Sequence, residues 1–365
     1  MSHAKLSPSA AERWMTCPGS VVLSEGMPDK SSAFAEEGTK AHGFGEAFLL
    51  GQVPDISDKD MYTHVITYVE CVRGLGGTLH VEQQVKVNDS VYGTADAVVW
   101  QPEQQALHVV DLKYGAGVAV EVHGNTQLKI YALAALLTFG YPAKTVTATI
   151  VQPRCPHGDG PIRSATYDVV DLLDFHADLM EAIARAKDAE DYGEYNAGFS
   201  DIYLTPSLKG CRWCKAAPKC PALLNKAQDT AKQVFAPGLS YSPTDLADTL
   251  EFLPILEGWI KNTREFAYGE AEKGNAIPRW KLVEKRATRK WRDETAVPAA
   301  LSGTGVDCWE RKLITPAAAE KALLKDQRYL LDELCVKESS GHALVHESDK
   351  REAVRLDAKS AFATP

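Results

Sequence analysis

Residues 79–114 read LHVEQQVKVNDSVYGTADAVVWQPEQQALHVVDLKY and set the architecture of the protein. Alternating and β-branched residues predict three successive strands, over Leu79–Lys86, Val91–Trp100 and Leu107–Tyr114. Turn signals separate these strands at Asn88-Asp89 and at Gln101-Pro102. The pattern therefore predicts an antiparallel meander at the centre of the fold.

Two of these strands carry acidic residues. Because successive side chains of a strand alternate between faces, Asp111 and Lys113 point the same way. In a meander, Asp96 on the preceding strand can come level with Asp111. Two close carboxylates repel each other unless a divalent cation neutralises them. The sequence thus predicts a site for a hard cation.

These residue types suit phosphodiester hydrolysis. A hard cation polarises the phosphate and lowers the pKa of a water, and Mg²⁺ and Mn²⁺ prefer carboxylate ligands. Lys113 can orient the water or offset charge that develops on the phosphate. A simpler interpretation also exists, because an Asp-X-Lys sequence is often a solvated surface ion pair.

The order of the motifs resembles that of the PD-(D/E)XK nucleases. The similarity is to the RecB-like branch, which includes CRISPR-adaptation nucleases and phage-encoded exonucleases. The matching segments are Gly38–His42, Glu82, Gly93–Asp96, Asp111–Lys113 and Gln127–Tyr131. The resemblance implies an α/β fold with a restriction-endonuclease-like core, in which helices flank a central mixed sheet.

The resemblance also implies roles for individual residues. His42, Asp96, Asp111 and the backbone carbonyl of Leu112 would surround Mg²⁺ or Mn²⁺. Lys113 would be catalytic, and Glu82 is a lesser candidate for a second ion. Gln127 and Tyr131 would lie on a helix beside the substrate strand.

Two helices position these residues. His42 lies in the helical segment Ala33–Leu50. A second helix begins after Asn125 or at Thr126, either of which is a plausible cap, and ends near Gly140. On this helix Tyr131 is either a residue beside the substrate or a core aromatic, because amphipathic helices bury aromatic residues.

Four of the eight cysteines form a second pattern. Cys211, Cys214 and Cys220 lie within ten positions between prolines, and Cys17 precedes the core. This arrangement resembles RecB-like members that hold a [4Fe-4S] cluster. The same four thiolates can also bind structural Zn²⁺. The scattered cysteines are interpreted as small apolar residues, namely Cys71, Cys155, Cys308 and Cys335.

The net charge of −9 argues against nucleic-acid binding in general. One segment is strongly positive in spite of this net charge. Seven cations are interleaved there with Trp280 and Trp291, namely Arg279, Lys281, Lys285, Arg286, Arg289, Lys290 and Arg292. This segment is either a DNA contact or a solvated face.

The chain of 365 residues is long enough for two domains. Pro237 and Pro243 predict a boundary between two domains. The first is a nuclease domain with the cysteines, residues 1–235, and the second is a carboxy-terminal extension, residues 236–365. In the extension, the spacing predicts a helix over Thr244–Lys273 and another within Pro316–Cys335. Ligand-like thiols, and the lack of an apolar leader or membrane-length run, predict a cytoplasmic protein. The resemblance implies a phage protein in its bacterial host.

Together these features predict a metal-dependent DNA exonuclease of phage recombination or replication. The family suggests a single-strand-binding or annealing protein as partner. Two other interpretations stay open: a PD-(D/E)XK endonuclease, and a catalytically inactive DNA-binding scaffold that keeps the metal cluster for its shape.

Overall fold

The computed structural model describes residues 4–27, 33–234, 242–283 and 327–335, with isolated helical positions at 299, 316, 319 and 320. The chain forms two compact units, Met1–Val283 and Glu284–Pro365. The second half of the predicted basic segment, Cys308 and most of the predicted helix before Cys335 lie outside the described residues.

A mixed five-stranded sheet forms the centre of the first unit. Its strands are β1 (Thr78–Lys86), β2 (Tyr92–Gln101), β3 (Ala106–Leu112), β4 (Thr145–Val151) and β5 (Ile162–Asp168). They follow one another in the order β1-β2-β3-β4-β5, and all neighbours are antiparallel except the parallel pair β3 and β4. The predicted meander and mixed α/β sheet are confirmed.

Helices flank this sheet. Those of the first unit are α1 (Ala11–Thr16), α2 (Gly19–Leu23), α3 (Ala33–Leu49), α4 (Lys59–Leu75), α5 (Thr126–Phe139), α6 (Val169–Tyr192), α7 (Phe199–Tyr203), α8 (Leu208–Arg212), α9 (Pro221–Val234) and α10 (Pro243–Glu272). Short 3₁₀ turns lie at Pro8–Ala10 and Ala217–Lys219, and the second unit contains α11 (Tyr329–Leu334). Within the described residues, no helix is both long and apolar enough to cross a membrane.

The apolar runs of β2 and β3 are explained by burial on both faces of the sheet. Val98 and Val109 pack in the cluster that includes residues of α5 and α6, whereas Ala97, Val99 and Val110 pack in the cluster that includes residues of α3 and α4. Strands that are covered on both sides need apolar residues at successive positions, not only at alternate ones. The sheet is therefore the middle layer of three.

Helix α5 has the limits that its sequence predicts. The side chain of Asn125 accepts a hydrogen bond from the Leu128 backbone N–H at 3.1 Å, and Gly140 ends the helix in the left-handed conformation. The helix connects β3 to the parallel strand β4. It thereby covers the sheet next to the acidic residues of β2 and β3.

Strand β3 ends earlier than its sequence predicts. The periodicity extends to Tyr114, but the strand stops at Leu112 and Lys113 keeps one sheet-like bond, from its N–H to the Val151 carbonyl at 2.9 Å. The glycines at 115 and 117 follow at once. Lys113 therefore lies at the point where the chain leaves the sheet.

Burial on α5 gives a test of this packing. Leu133 is fully buried, whereas Leu137, one turn later, is 44% exposed. We expect Leu133→Ala to lower the free energy of unfolding by about 2–5 kcal/mol, because it leaves a core cavity. The matched control Leu137→Ala should lose less than about 1 kcal/mol. Urea unfolding measures both, and equal losses would contradict the assigned faces of α5.

Candidate metal centre

Three side chains from three elements converge at the edge of the sheet that β1 forms, beside β2. His42 comes from α3, Glu82 from β1 and Asp96 from β2, and one donor atom from each lies within 4.8 Å of the other two. His42 Nδ1 is 3.3 Å from Asp96 Oδ2. Within the described residues, this is the one group of three or more His, Cys, Asp or Glu side chains that is so close. The structure thus gives Glu82 a more central place than the sequence predicted.

The backbone at Glu82 is unusual. Its φ is +48°, in the left-handed region that non-glycine residues rarely adopt. The ladder pairs Val81 with Ala97 and Gln83 with Ala95, and Glu82 lies between these pairs, across from Asp96. Left-handed backbone at a non-glycine residue costs about 1–2 kcal/mol, and such strain is concentrated at functional sites. The irregularity lies at the carboxylate that completes the group.

Asp96 and Asp111 come level, as the meander predicts. Ala97 pairs with Val110, so the next residues along the two antiparallel strands are Asp96 and Asp111. Asp96 Oδ2 also accepts a hydrogen bond from the Leu112 backbone N–H at 2.7 Å. For Leu112, the contact that the structure gives is therefore this N–H; the predicted role of its carbonyl stays a prediction.

Asp111 and Lys113 form a tight ion pair. Lys113 Nζ donates to Asp111 Oδ1 at 3.1 Å and lies 2.9 Å from Oδ2. Asp111 is only 8% exposed, and its Oδ2 receives no hydrogen bond of good geometry. The Lys113 ammonium thus compensates the charge of this buried carboxylate, and a metal ion bound at Oδ2 would share that oxygen with the lysine.

The electrostatics at this edge show an excess of negative charge. Burial and the charge of Asp96 raise the pKa of Glu82 to about 7. Burial and Asp96 likewise raise the pKa of Asp111, although Lys113 opposes this. Burial lowers the pKa of His42, but its hydrogen bond and ion pair with Asp96 outweigh burial and raise it. Glu82, Asp96 and Asp111 carry three negative charges when ionised, and Lys113 offsets one of them. With His42 neutral, as a metal ligand must be, a divalent cation balances the remaining two charges.

Tyr131 packs against the core, as one of its two predicted roles requires, and its place beside the substrate strand stays a prediction. Burial and the charges of Asp111, Asp96 and Glu82 raise the pKa of its hydroxyl, which therefore lies near these carboxylates. The ring lies directly over Gly93, where an added Cβ would come within 2.8 Å of the phenol oxygen. This contact explains the glycine of the Gly93–Asp96 motif. Gln127 lies half-buried in the first turn of α5, one turn before Tyr131.

Two contacts around the site involve residues that the sequence analysis missed. Arg154, which follows β4, pairs with Glu37 of α3 at 2.7 Å, and its guanidinium lies 4.6 Å from the ring centroid of Tyr114. Because α3 carries His42, this pair fixes the helix against the end of the sheet. Sequence spacing gave no signal for it, since 117 residues separate the partners.

A buried polar pair fixes the loop between β3 and α5. Gln152 Nε2 donates to the carbonyls of Gly115 and Val118 at 3.0 and 2.8 Å. Arg163 donates to Gln152 Oε1 at 2.8 Å and to the Val120 carbonyl at 3.0 Å. Buried polar groups that are satisfied in this way rigidify the backbone they hold. The segment after Lys113 is thereby anchored to β4 and β5.

The four predicted cysteine ligands come together away from this edge. Cys17, Cys211, Cys214 and Cys220 line one cavity. Backbone N–H groups point at two of the sulfur atoms, from Thr205 to Cys17 at 3.3 Å and from Ser207 to Cys211 at 3.4 Å. Such donors stabilise thiolate ligands. The segment before the core and the segment after it thus meet around a site with four sulfur atoms.

The thiols influence one another electrostatically. Burial raises the pKa of Cys211 to about 11, and the charges of Cys214, Cys17 and Cys220 add to the rise. Burial also raises the pKa of Cys17 and of Cys220. Four thiolates around one cavity repel one another unless a positive group lies between them, so the donor set fits a metal or a metal cluster.

Of the other described cysteines, Cys335 in the second unit is half-buried. Cys155 is buried, and Cys71 packs half-buried against the core between α3 and α4. These positions agree with the interpretation of both as small apolar residues. In the basic segment, the described residues Arg279, Trp280 and Lys281 are exposed.

Comparison with known proteins shows the family of the chain and a weak likeness to a solved structure. The structure titled "Crystal structure of SSO0001" aligns with 61% of this chain and 88% of its own, at 13% identity and a TM-score of 0.29, which is too low to support an argument. The family model described as "Protein of unknown function (DUF2800)" matches residues 3–352. The chain therefore belongs to the DUF2800 family, whose function is not established.

Proposed function

We propose that this protein is a metal-dependent DNA exonuclease with a RecB-like PD-(D/E)XK core. The observation that carries the proposal is one edge of the sheet where His42, Glu82 and Asp96 converge beside the Asp111–Lys113 ion pair. Acids and an imidazole that could hold a hard cation, with an amine beside them, suit the hydrolysis of a phosphodiester.

In this mechanism His42, Asp96 and Asp111 would hold Mg²⁺ or Mn²⁺, and Glu82 lies close enough to join them. The bound ion would polarise the phosphate and lower the pKa of the attacking water. Lys113, fixed by Asp111 at 2.9 Å, would orient the water or offset negative charge on the phosphate. Tyr131 and Gln127, on the adjoining helix, would lie beside the substrate strand.

For the four-cysteine cavity we propose a [4Fe-4S] cluster. Cys17, Cys211, Cys214 and Cys220 line one cavity, and their number and order along the chain match those of the RecB-like members that hold such a cluster. A structural Zn²⁺ bound by the same four thiolates is the alternative. The cluster would join the amino-terminal segment to the segment after the sheet and close a long chain loop.

The preference for DNA ends comes from the resemblance to phage-encoded exonucleases. An enzyme that leaves single-stranded overhangs would act beside a single-strand-binding or annealing protein. Four reduced thiols suit a reducing cytoplasm. A restriction-type endonuclease would use the same catalytic edge, and a circular substrate distinguishes the two because it has no ends.

Activity on end-labelled linear DNA tests the proposal. With Mg²⁺ or Mn²⁺ we expect release of labelled nucleotides, and we expect Asp111→Asn and Lys113→Ala each to lower the rate about 100-fold or more. Asp89→Asn is the matched control, because Asp89 is an exposed turn carboxylate. Wild-type rates for both site variants would contradict the residue assignment, and rapid cutting of closed circles would contradict the exonuclease.

Metal binding should depend on pH through Glu82. Its carboxyl has a pKa of about 7 in the metal-free fold and of 4.5 when free, so a proton competes with the ion below pH 7. By linkage, the ionised carboxyl weakens the metal-free fold as pH rises through 7. We therefore expect Mn²⁺ to raise Tm more at pH 8 than at pH 6.

Glu82→Gln should show a smaller Mn²⁺-induced rise in Tm and a weaker dependence on pH, because it removes both the ligand and the competing proton. Glu103→Gln is the control, since Glu103 is exposed in the turn between β2 and β3. The same pH dependence in Glu82→Gln and in the parent would contradict the role of this carboxylate.

The cluster has its own test. We expect an anaerobic preparation to be brown, to absorb visible light through iron–thiolate transitions and to contain iron and sulfide in equal amounts. Cys214→Ser should lose most of this absorption, whereas Cys71→Ser should keep it. A colourless anaerobic preparation with stoichiometric zinc would contradict the cluster and favour the zinc site.

A further inference from the structure

The cysteine-bearing segment differs in charge from the rest of the protein. Between Asp201 and Asp229 the chain contains no acidic residue, although the whole protein has a net charge of −9. The same interval contains five cations, namely Lys209, Arg212, Lys215, Lys219 and Lys226. Such segregation gives this segment a local excess of positive charge, which Glu12 beside Lys209 and Glu270 near Lys219 offset in part.

An exposed tryptophan lies in the middle of this segment. Trp213 is 75% exposed, although it stands between two of the cysteines that line the cavity. The guanidinium of Arg212 lies 5.4 Å from its ring centroid. The loop therefore places Cys211 and Cys214 at the cavity and presents the indole to solvent. An exposed aromatic with adjacent cations is the combination that binds unpaired bases.

The patch adjoins the helix beside the catalytic edge. Lys209 Nζ lies 3.6 Å from Glu12 Oε1, and Glu12 Oε2 accepts a hydrogen bond from Thr126 Oγ1 at 3.1 Å. Thr126 is the first residue of α5, the helix that carries Gln127 and Tyr131. Glu12 thus connects the cysteine segment to the amino-terminal end of α5.

From these contacts we infer that the loop around Trp213 is a binding site for single-stranded DNA. The indole stacks on one base, and Arg212 and the exposed Lys209 contact the neighbouring phosphates. The identity of the strand rests on the proposed nuclease function, since it would be the unpaired strand of the substrate. Binding itself depends only on the exposed indole and the neighbouring cations. It is independent of base sequence, because every base has a π-face on which the indole can stack.

Fluorescence anisotropy with a labelled oligothymidine tests the site in the full chain, as purified and without added divalent ions. We expect Trp213→Ala to weaken binding about tenfold, and Trp213→Phe to stay within about threefold of the parent because a phenyl ring still stacks. Arg212→Ala should lower the slope of log Kd against log salt by about 0.7. Trp280→Ala is the matched control, because Trp280 is 80% exposed between Arg279 and Lys281.

Several results would overturn the site. One is a Trp213→Ala variant that binds like the parent, and another is a loss of affinity in Trp280→Ala alone. A third is equal weakening of single-stranded and duplex DNA, which would indicate phosphate contacts without stacking. Unchanged visible absorption and circular dichroism in Trp213→Ala exclude misfolding as the cause of a loss.

The two proposals fail separately. Trp213-dependent binding by a protein that degrades no DNA would contradict the nuclease and support this site. Degradation that needs Asp111, together with binding that is indifferent to Trp213, would support the nuclease and contradict this site.

Discussion

The concentration of negative charge at one edge of the sheet is the constraint on which the remaining structure depends. Glu82, Asp96 and Asp111 lie on three neighbouring strands, and their carboxylates are removed from much of the solvent that would screen them. One lysine and one histidine offset part of this charge. Without a bound cation, acids packed so closely lower the free energy of unfolding, and the raised pKa of Glu82 is a sign of their repulsion. A divalent cation would remove this repulsion.

The fold keeps these groups in place because it leaves them little freedom to separate. Helices cover both faces of β2 and β3, so neither strand can shift its register without moving its apolar residues out of the core. Arg154 ties the helix that carries His42 to the end of β4, and Gln152 holds the loop that follows Lys113. The expected chemistry of the site therefore depends on contacts made by residues that need not touch a substrate.

Local patterns were sufficient to predict the strands, apart from the end of β3, and the limits of α5, because alternation and capping depend on near neighbours in sequence. They were insufficient for contacts across the chain. The left-handed backbone of Glu82 has no glycine or turn signal. The pair of Arg154 and Glu37, which 117 residues separate, appears only once the elements are packed.

A crystal of the full chain soaked in Mn²⁺ and measured at the manganese absorption edge tests the central claim most directly. We expect an anomalous peak about 2.2 Å from oxygen or nitrogen atoms of His42, Asp96 and at least one of Glu82 and Asp111. We also expect His42 Nδ1 and Asp96 Oδ2, which lie 3.3 Å apart, both to bind the ion. Absence of a peak at saturating Mn²⁺, with that contact unchanged, would contradict the metal centre and the hydrolysis built on it.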